Sequence, residues 1–261
     1  MSNNSEFQPI NDDHAIELVK FGFVFLNPIS AQSVVAFEGS HDLWRESLPA
    51  RASLDIDVDL GGRQFKAPAA QFAFMKPDGV PAWSMLVGSN KIEIECTVYS
   101  RWDRVWTTCQ DFLAKAVEVL SVTQPQTALS VLELTTKDVF VIAEGQYDLR
   151  NLFSSGKLIP EFLFEAGRLW HSHIGWFQDP DETPRHLHNL NVDANTIGIG
   201  TAVSVSHFQQ KNMTENLTCA GMKADGLASL SSAMRSLHDE NKNIVRQMLV
   251  AEMSDRIGLG G

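Results

Sequence analysis

The sequence predicts an α+β protein of mainly antiparallel sheet, and three observations predict it. Several stretches alternate apolar and polar residues with period two, the mark of half-buried strands. Two later stretches switch to helical spacing, and each closes a block of strands. The 261 residues are 44% hydrophobic and 20% charged, ordinary for a chain that folds around a core. These point to two lobes of antiparallel sheet, each followed by a long amphipathic helix.

Residues 1–15 read as a polar, poorly ordered leader. Residues 53–60 set Leu54, Ile56, Val58 and Leu60 on one face and Asp55, Asp57 and Asp59 on the other. Gly61-Gly62 then supplies a two-residue hairpin turn, and residues 63–67 return. Residues 91–98 alternate again, with Ile92, Ile94, Cys96 and Val98 facing inward. From residue 101 to about 120, Trp102, Val105, Trp106, Cys109, Phe112, Leu113 and Ala116 recur at helical spacing. Ser100 with Asp103 approximates a capping box there. The second half repeats the plan: residues 129–142, 169–177, 186–192, 197–208 and 213–219 read as extended. A final helix covers about 227–255, with Leu230, Met234, Leu237, Ile244, Val245, Met248 and Leu249 as its stripe. The expected units are a leader (1–15), an N-terminal lobe (16–125), a C-terminal lobe (126–257) and a flexible tail (258–261).

Charge and cysteine usage exclude function classes. Lys and Arg number 21 against 32 Asp and Glu, a net charge of −11. Ten of the acidic residues and only three basic ones fall within residues 1–60. Such a surface repels phosphate, so nucleic acid is not an expected partner. Arg101, Trp102, Arg104 and Trp106 mix basic and aromatic groups as stacking platforms do, but the tryptophans sit on the apolar stripe. No basic n-region or long apolar run marks a secretory signal or a membrane span. The three cysteines, Cys96, Cys109 and Cys219, form no CxxC pair, which fits small buried hydrophobes in a reducing cytoplasm.

The stretch richest in chemistry is WHSHIGWFQDPDETPRHLHNL, residues 170–190. His171 and His173 share one strand face, as do His186 and His188, because residues two apart on a strand point the same way. A hairpin turning at Asp179-Pro180 would pair 171 with 188 and 173 with 186, gathering four imidazoles within cross-strand reach. Three readings follow: a site for zinc or another divalent metal, with Asp179, Asp181 or Glu182 adding oxygen ligands; a pH-responsive patch; and a solvated face without special chemistry. Asp55, Asp57 and Asp59 make a carboxylate ladder that suits Mg²⁺ or Ca²⁺, or equally a wet strand face guarded by charge. No GxSxG elbow, phosphate-binding loop or HExxH occurs. Gly198-Ile199-Gly200 is a lone GxG within a β-branched run, not a dinucleotide loop.

Three sets of residues carry a family resemblance: Tyr99-Ser100-Arg101-Trp102 with Phe112; Leu158-Ile159-Pro160 followed by Trp170-His171-Ser172-His173; and Leu237-His238 with Met248 and Ile257-Gly258-Leu259. With these the chain resembles a sporadically distributed family of bacterial proteins of about this length. It departs from that family at residues 132–138, where the family carries an Arg-Tyr-rich strand. The resemblance implies no activity and no functional residue; the family's patchy distribution implies accessory or antiviral-defence gene clusters. The functional expectation is a cytoplasmic, non-catalytic binding, regulatory or scaffold component of a bacterial multi-protein assembly, with a protein partner or a second copy of itself. The alternative is a metal-dependent hydrolase on His171, His173, His186 and His188, with Asp181 or Glu182 as base.

Overall fold

The computed structural model describes residues 7–60, 62–142, 147–178, 185–197, 200–225 and 227–259. Ten antiparallel strands form one sheet: β1 (Gln8–Pro9), β2 (Ile16–Phe25), β3 (Ala50–Leu60), β4 (Arg63–Met75), β5 (Pro81–Gly88), β6 (Lys91–Cys96), β7 (Ala128–Ile142), β8 (Trp170–Gln178), β9 (His186–Ile197) and β10 (Gly200–Thr218). Their order is β3-β4-β5-β6-β2-β7-β10-β9-β8, with β1 also pairing with β7. The α+β class and the antiparallel sheet therefore stand. The strands of the two expected lobes join in one continuous sheet, however, through the β2–β7 pair, so the boundary near residue 125 separates no free-standing lobe.

The helices cover one face. They are α1 (Ala31–Gly39), α2 (Trp102–Thr123), α3 (Cys219–Asp225), α4 (Ala228–Met248) and α5 (Ala251–Arg256). Helix α2 forms where the apolar spacing places it, and its stripe from Trp102 to Leu120 is buried. Its N-cap is Arg101, one residue past the Ser100 expected, and makes no side-chain capping bond. Helix α1 has no strong apolar stripe; Ser30 caps it by accepting from the Ser33 N–H, and the Ser33 hydroxyl in turn donates to Gln124 Oε1 at 2.7 Å. The long C-terminal helix breaks at Leu249, which turns extended and bridges to Phe153, while the Val250 N–H donates to the Leu152 carbonyl. No Pro or Gly marks that break; tertiary pairing makes it. Cys219, expected to end a strand, instead begins α3, and β10 reaches Thr218 through an irregularity against β7.

The first and last described residues are built into the fold. Phe7 is buried against Tyr147, ring centroids 5.5 Å apart, and β1 continues the line of β2 along β7. Leu259 packs on the core and accepts from Arg246 Nε at 2.7 Å. The described parts of the expected leader and tail are thus packed structure.

Apolar side chains under the helices fall into two clusters. One joins Phe21, Phe23, Met85, Ile92, Ile94, Leu132 and Leu134 to α1, α2, α3 and the first part of α4. The other joins Phe140, Ile142, Leu190, Val192, Val203 and Val205 to the end of α4 and to α5. Burying each such side chain contributes roughly 1.5–3 kcal/mol. On the other face the central strands carry a charged ladder: Lys20 meets Glu93 and Glu95 at 3.1 and 3.2 Å, and Lys91 meets Glu93 and Glu133 at 2.7 Å. Among the described residues no helix is long and apolar enough to cross a membrane.

Candidate functional site

The site lies in the gap between the two apolar clusters, and strand periodicity explains why. Along β7 the helix-facing positions read Leu132, Leu134, Thr136, Asp138, Phe140 and Ile142; all are buried, and the two polar ones sit in the middle. On β10, Val203 and Val205 give way to His207 and Gln209, both fully buried. On β9, Leu190 is preceded by His188 and His186, also buried. Cross-strand register sets Thr136 beside His207, and Gln209 beside His188. Above them α4 supplies Asn241, between Leu237 of one cluster and Ile244 of the other. A polar seam therefore crosses the sheet beneath the helices.

Hydrogen bonds connect it. Asn241 Oδ1 accepts from the Thr136 hydroxyl at 2.8 Å and lies 2.8 Å from His207 Nδ1. His207 Nε2 lies 3.1 Å from His188 Nδ1, and His188 Nε2 is 3.3 Å from Gln178 Oε1. Trp176 stacks on His188 with ring centroids 4.8 Å apart. Gln209 Nε2 donates to the Leu237 carbonyl at 2.8 Å. His186 Nε2 and Gln209 Oε1 are buried without hydrogen-bond partners among the described residues. Burial, aided by neighbouring histidines and by Lys211, lowers His186 to about 4 and His188 to about 3. Burial also lowers His207 to about 4, against its bond with Asn241. The imidazoles are neutral at pH 7.

At its α4 end the seam opens into a cavity of about 330 Å³. Its walls include Tyr99, the first turn of α2, one side of α4, His14 from the chain before β2 and Leu259 from the C-terminal segment. Asp138 and Asn241 both line it. Asp138 is only 4% exposed and has no hydrogen bond or ion pair with protein among the described residues, so burial alone lifts its carboxyl to about 7. Burial, and then the charge of Asp138, push the Tyr99 hydroxyl to about 12. His238 stacks flat on Trp102, ring centroids 3.9 Å apart, and burial lowers it to about 4. At the rim Arg235 pairs with Asp103 at 3.0 Å and Arg101 with Asp13 at 3.3 Å.

The expected four-histidine cluster does not assemble. In the β8–β9 hairpin His171 faces Asp193, His173 faces Asn191, and His186 faces Gln178. This register differs by an odd number of residues from the one expected, which moves one strand's set to the other face. His171 and His173 are exposed on the open face, while His186 and His188 are buried under the helices. Asp179, Asp181 and Glu182, the expected oxygen ligands or base, lie outside the described residues. No group of three or more His, Cys, Asp or Glu side chains among the described residues is arranged to hold a metal ion. The four histidines expected around one ion therefore stand on opposite faces of the hairpin.

The other candidates are structural. Asp55 and Asp57 are exposed on the edge strand β3, and the side chain of Asp59 lies outside the described ones. Trp102 and Trp106 are buried. All three cysteines are buried, and burial raises every thiol well above its ordinary value, so none is poised as a nucleophile. The sequence reading missed Asp138, His207 and Asn241. For Asp138 a signal existed: a lone acid two residues before Phe140 on the inward register of a strand. No protein family, curated protein or solved structure matches the chain.

Proposed function

We propose that the protein is a non-catalytic binding component of a larger bacterial assembly, and that it holds a small polar ligand in the cavity over Asp138. Asp138 carries this reading. A buried carboxyl with no protein partner is costly, and a structure retains one where something outside the chain is to meet it. The cavity above it is of the size that small-molecule sites have, and it combines apolar aromatic walls with a few convergent polar groups. The edge strands β3 and β8 favour the assembly half of the proposal, since each has backbone groups free to pair on one side. Leu54, Phe65, Phe74 and Met75, exposed on β3 and β4, add apolar area at one of those edges.

A thermal-shift screen of small polar metabolites on the whole chain tests the ligand. At least one compound should raise the melting temperature, and the rise should vanish in Asp138→Asn. A screen without such a compound refutes the reading. The hydrolase alternative needs four imidazoles around one ion; His171 and His173 stand on the other face from His186 and His188, so nothing favours it.

A further inference from the structure

The seam behind the cavity fixes which way Asn241 points, and that selects the ligand. Asn241 Oδ1 takes the Thr136 hydroxyl proton at 2.8 Å and faces His207 Nδ1 at 2.8 Å. A carbonyl oxygen only accepts, so His207 carries its proton on Nδ1. Its Nε2 is then bare and accepts from His188 Nδ1–H, 3.1 Å away. The chain of bonds ends at Gln178, whose Oε1 stands 3.3 Å from His188 Nε2. Two acceptors cannot bond, so this exposed amide, which no second bond holds among the described residues, turns over to present its N–H₂. Asn241, by contrast, is held by both Thr136 and His207. Both lone pairs of Asn241 Oδ1 are thereby used. The amide N–H₂ has no partner among the described residues, and Asn241 lines the cavity. Thr136 and Asp138, two apart on β7, share the helix-facing side, and Asp138 lines the same cavity as Asn241.

Resting on the binding reading above, we propose that the cavity floor recognises a planar amide-type edge, a carbonyl beside an N–H: Asp138 accepts from the N–H and Asn241 donates to the carbonyl. An ammonium group would set its donors against those of Asn241. A carboxylate would set its oxygens against those of Asp138. The flat Trp102–His238 stack in the same cavity suits a planar ligand. The buried imidazoles act here as positioning residues, holding the amide in one orientation.

Three probes on the same ring separate the possibilities: benzamide, benzylamine and benzoate, titrated at pH 8 up to 10 mM by ligand-observed NMR. Benzamide should bind about tenfold more tightly than either of the others, the worth of one net hydrogen bond. Tighter binding of benzylamine or benzoate overturns the inference, as does binding of none of the three. The inference alone falls if the metabolite screen still yields a ligand lost in Asp138→Asn; both readings fall if it yields none. Imidazole ¹⁵N shifts provide an arm that needs neither ligand nor variant. His188 and His207 should both be Nδ1–H tautomers at pH 7, and an Nε2–H proton on His207 would turn the Asn241 amide around and overturn the inference.

Discussion

The two ends of the sheet follow one plan and fill it differently. In the N-terminal half β2, the first long strand, is flanked by β6, the last of its block; in the C-terminal half β7 is flanked by β10 in the same way. The two first strands meet at the centre. Under the helices the N-terminal half is apolar from end to end, with Val19, Phe21, Phe23 and Phe25 on β2 and Ile92, Ile94 and Cys96 on β6. The C-terminal half interrupts its apolar rows with Thr136, Asp138, His186, His188, His207 and Gln209. The rows named in both halves are buried, so burial does not explain the difference. An apolar row suffices to hold this sheet under these helices, and the polar seam in the other half underlies the ligand site proposed above.

The contrast is sharpest in the response to truncation. Phe21→Ala or Phe23→Ala should cost about 3–5 kcal/mol, because each ring is fully buried in close-packed surroundings and leaves a cavity. Chemical denaturation measures this. In the seam, Asn241→Leu should cost about 2–3 kcal/mol for a different reason: it keeps the volume but strands the Thr136 hydroxyl and His207 Nδ1–H without an acceptor. Replacing Thr136 and His207 with apolar residues in that background should recover much of the loss, whereas no second substitution in the apolar half should rescue Phe21→Ala.

Titration should distinguish the halves next. His186, His188, His207 and His238 are held at about 3 to 4, so the folded chain binds fewer protons than the unfolded chain from about pH 4 to 6.5. Stability from these groups is present above pH 6.5 and lost as pH falls. Asp138 acts with the opposite sign: folded, it keeps its proton to about 7, while unfolded it releases it near 4, so it subtracts stability as pH rises through that window. Four imidazoles against one carboxyl give a melting temperature that rises from pH 4.5 to 7. Asp138→Asn should make the rise steeper and should gain about 1–3 kcal/mol at pH 8, where the wild-type carboxylate is ionised without a partner. Equal stability of the two proteins at pH 8 would mean that Asp138 is satisfied from within the chain.

The sequence made the apolar half legible and the seam only partly so. Alternation at residues 53–60 and 91–98 and the stripe of α2 are local periodicities, and strands and a helix form there. The seam depends on parity between strands distant in sequence. His186 and His188 stood out because of their spacing, but their partners were assigned by assuming a turn at Asp179-Pro180. The observed register pairs Gln178 with His186, and that difference in parity sent His171 and His173 to the open face. His207 and Asn241 carry no motif, and α1 and the break at Leu249 rest on tertiary bonds. Such residues become visible only when β7, β10 and α4 are superposed.

The smallest effect belongs to the open face, where charged side chains stand in rows across the central strands. Lys91 and Lys20 hold Glu93 below its ordinary value although burial pulls it up, and Gly22 leaves the space they use: a Cβ there would come within 2.6 Å of Glu133 Oε2 and 2.8 Å of Lys91 Cε. Lys20 bonds two carboxylates, yet its side chain and theirs are all partly exposed, with water competing for each contact. Lys20→Met should therefore cost only about 0.5 kcal/mol, and less in 1 M salt than in 50 mM. A loss near that of Asn241→Leu would mean that the open face is as dry as the seam, and that a covering partner excludes water from it. The ordering of these two substitutions thus tests whether burial under the helices, and not polarity as such, separates the site from the rest of the sheet.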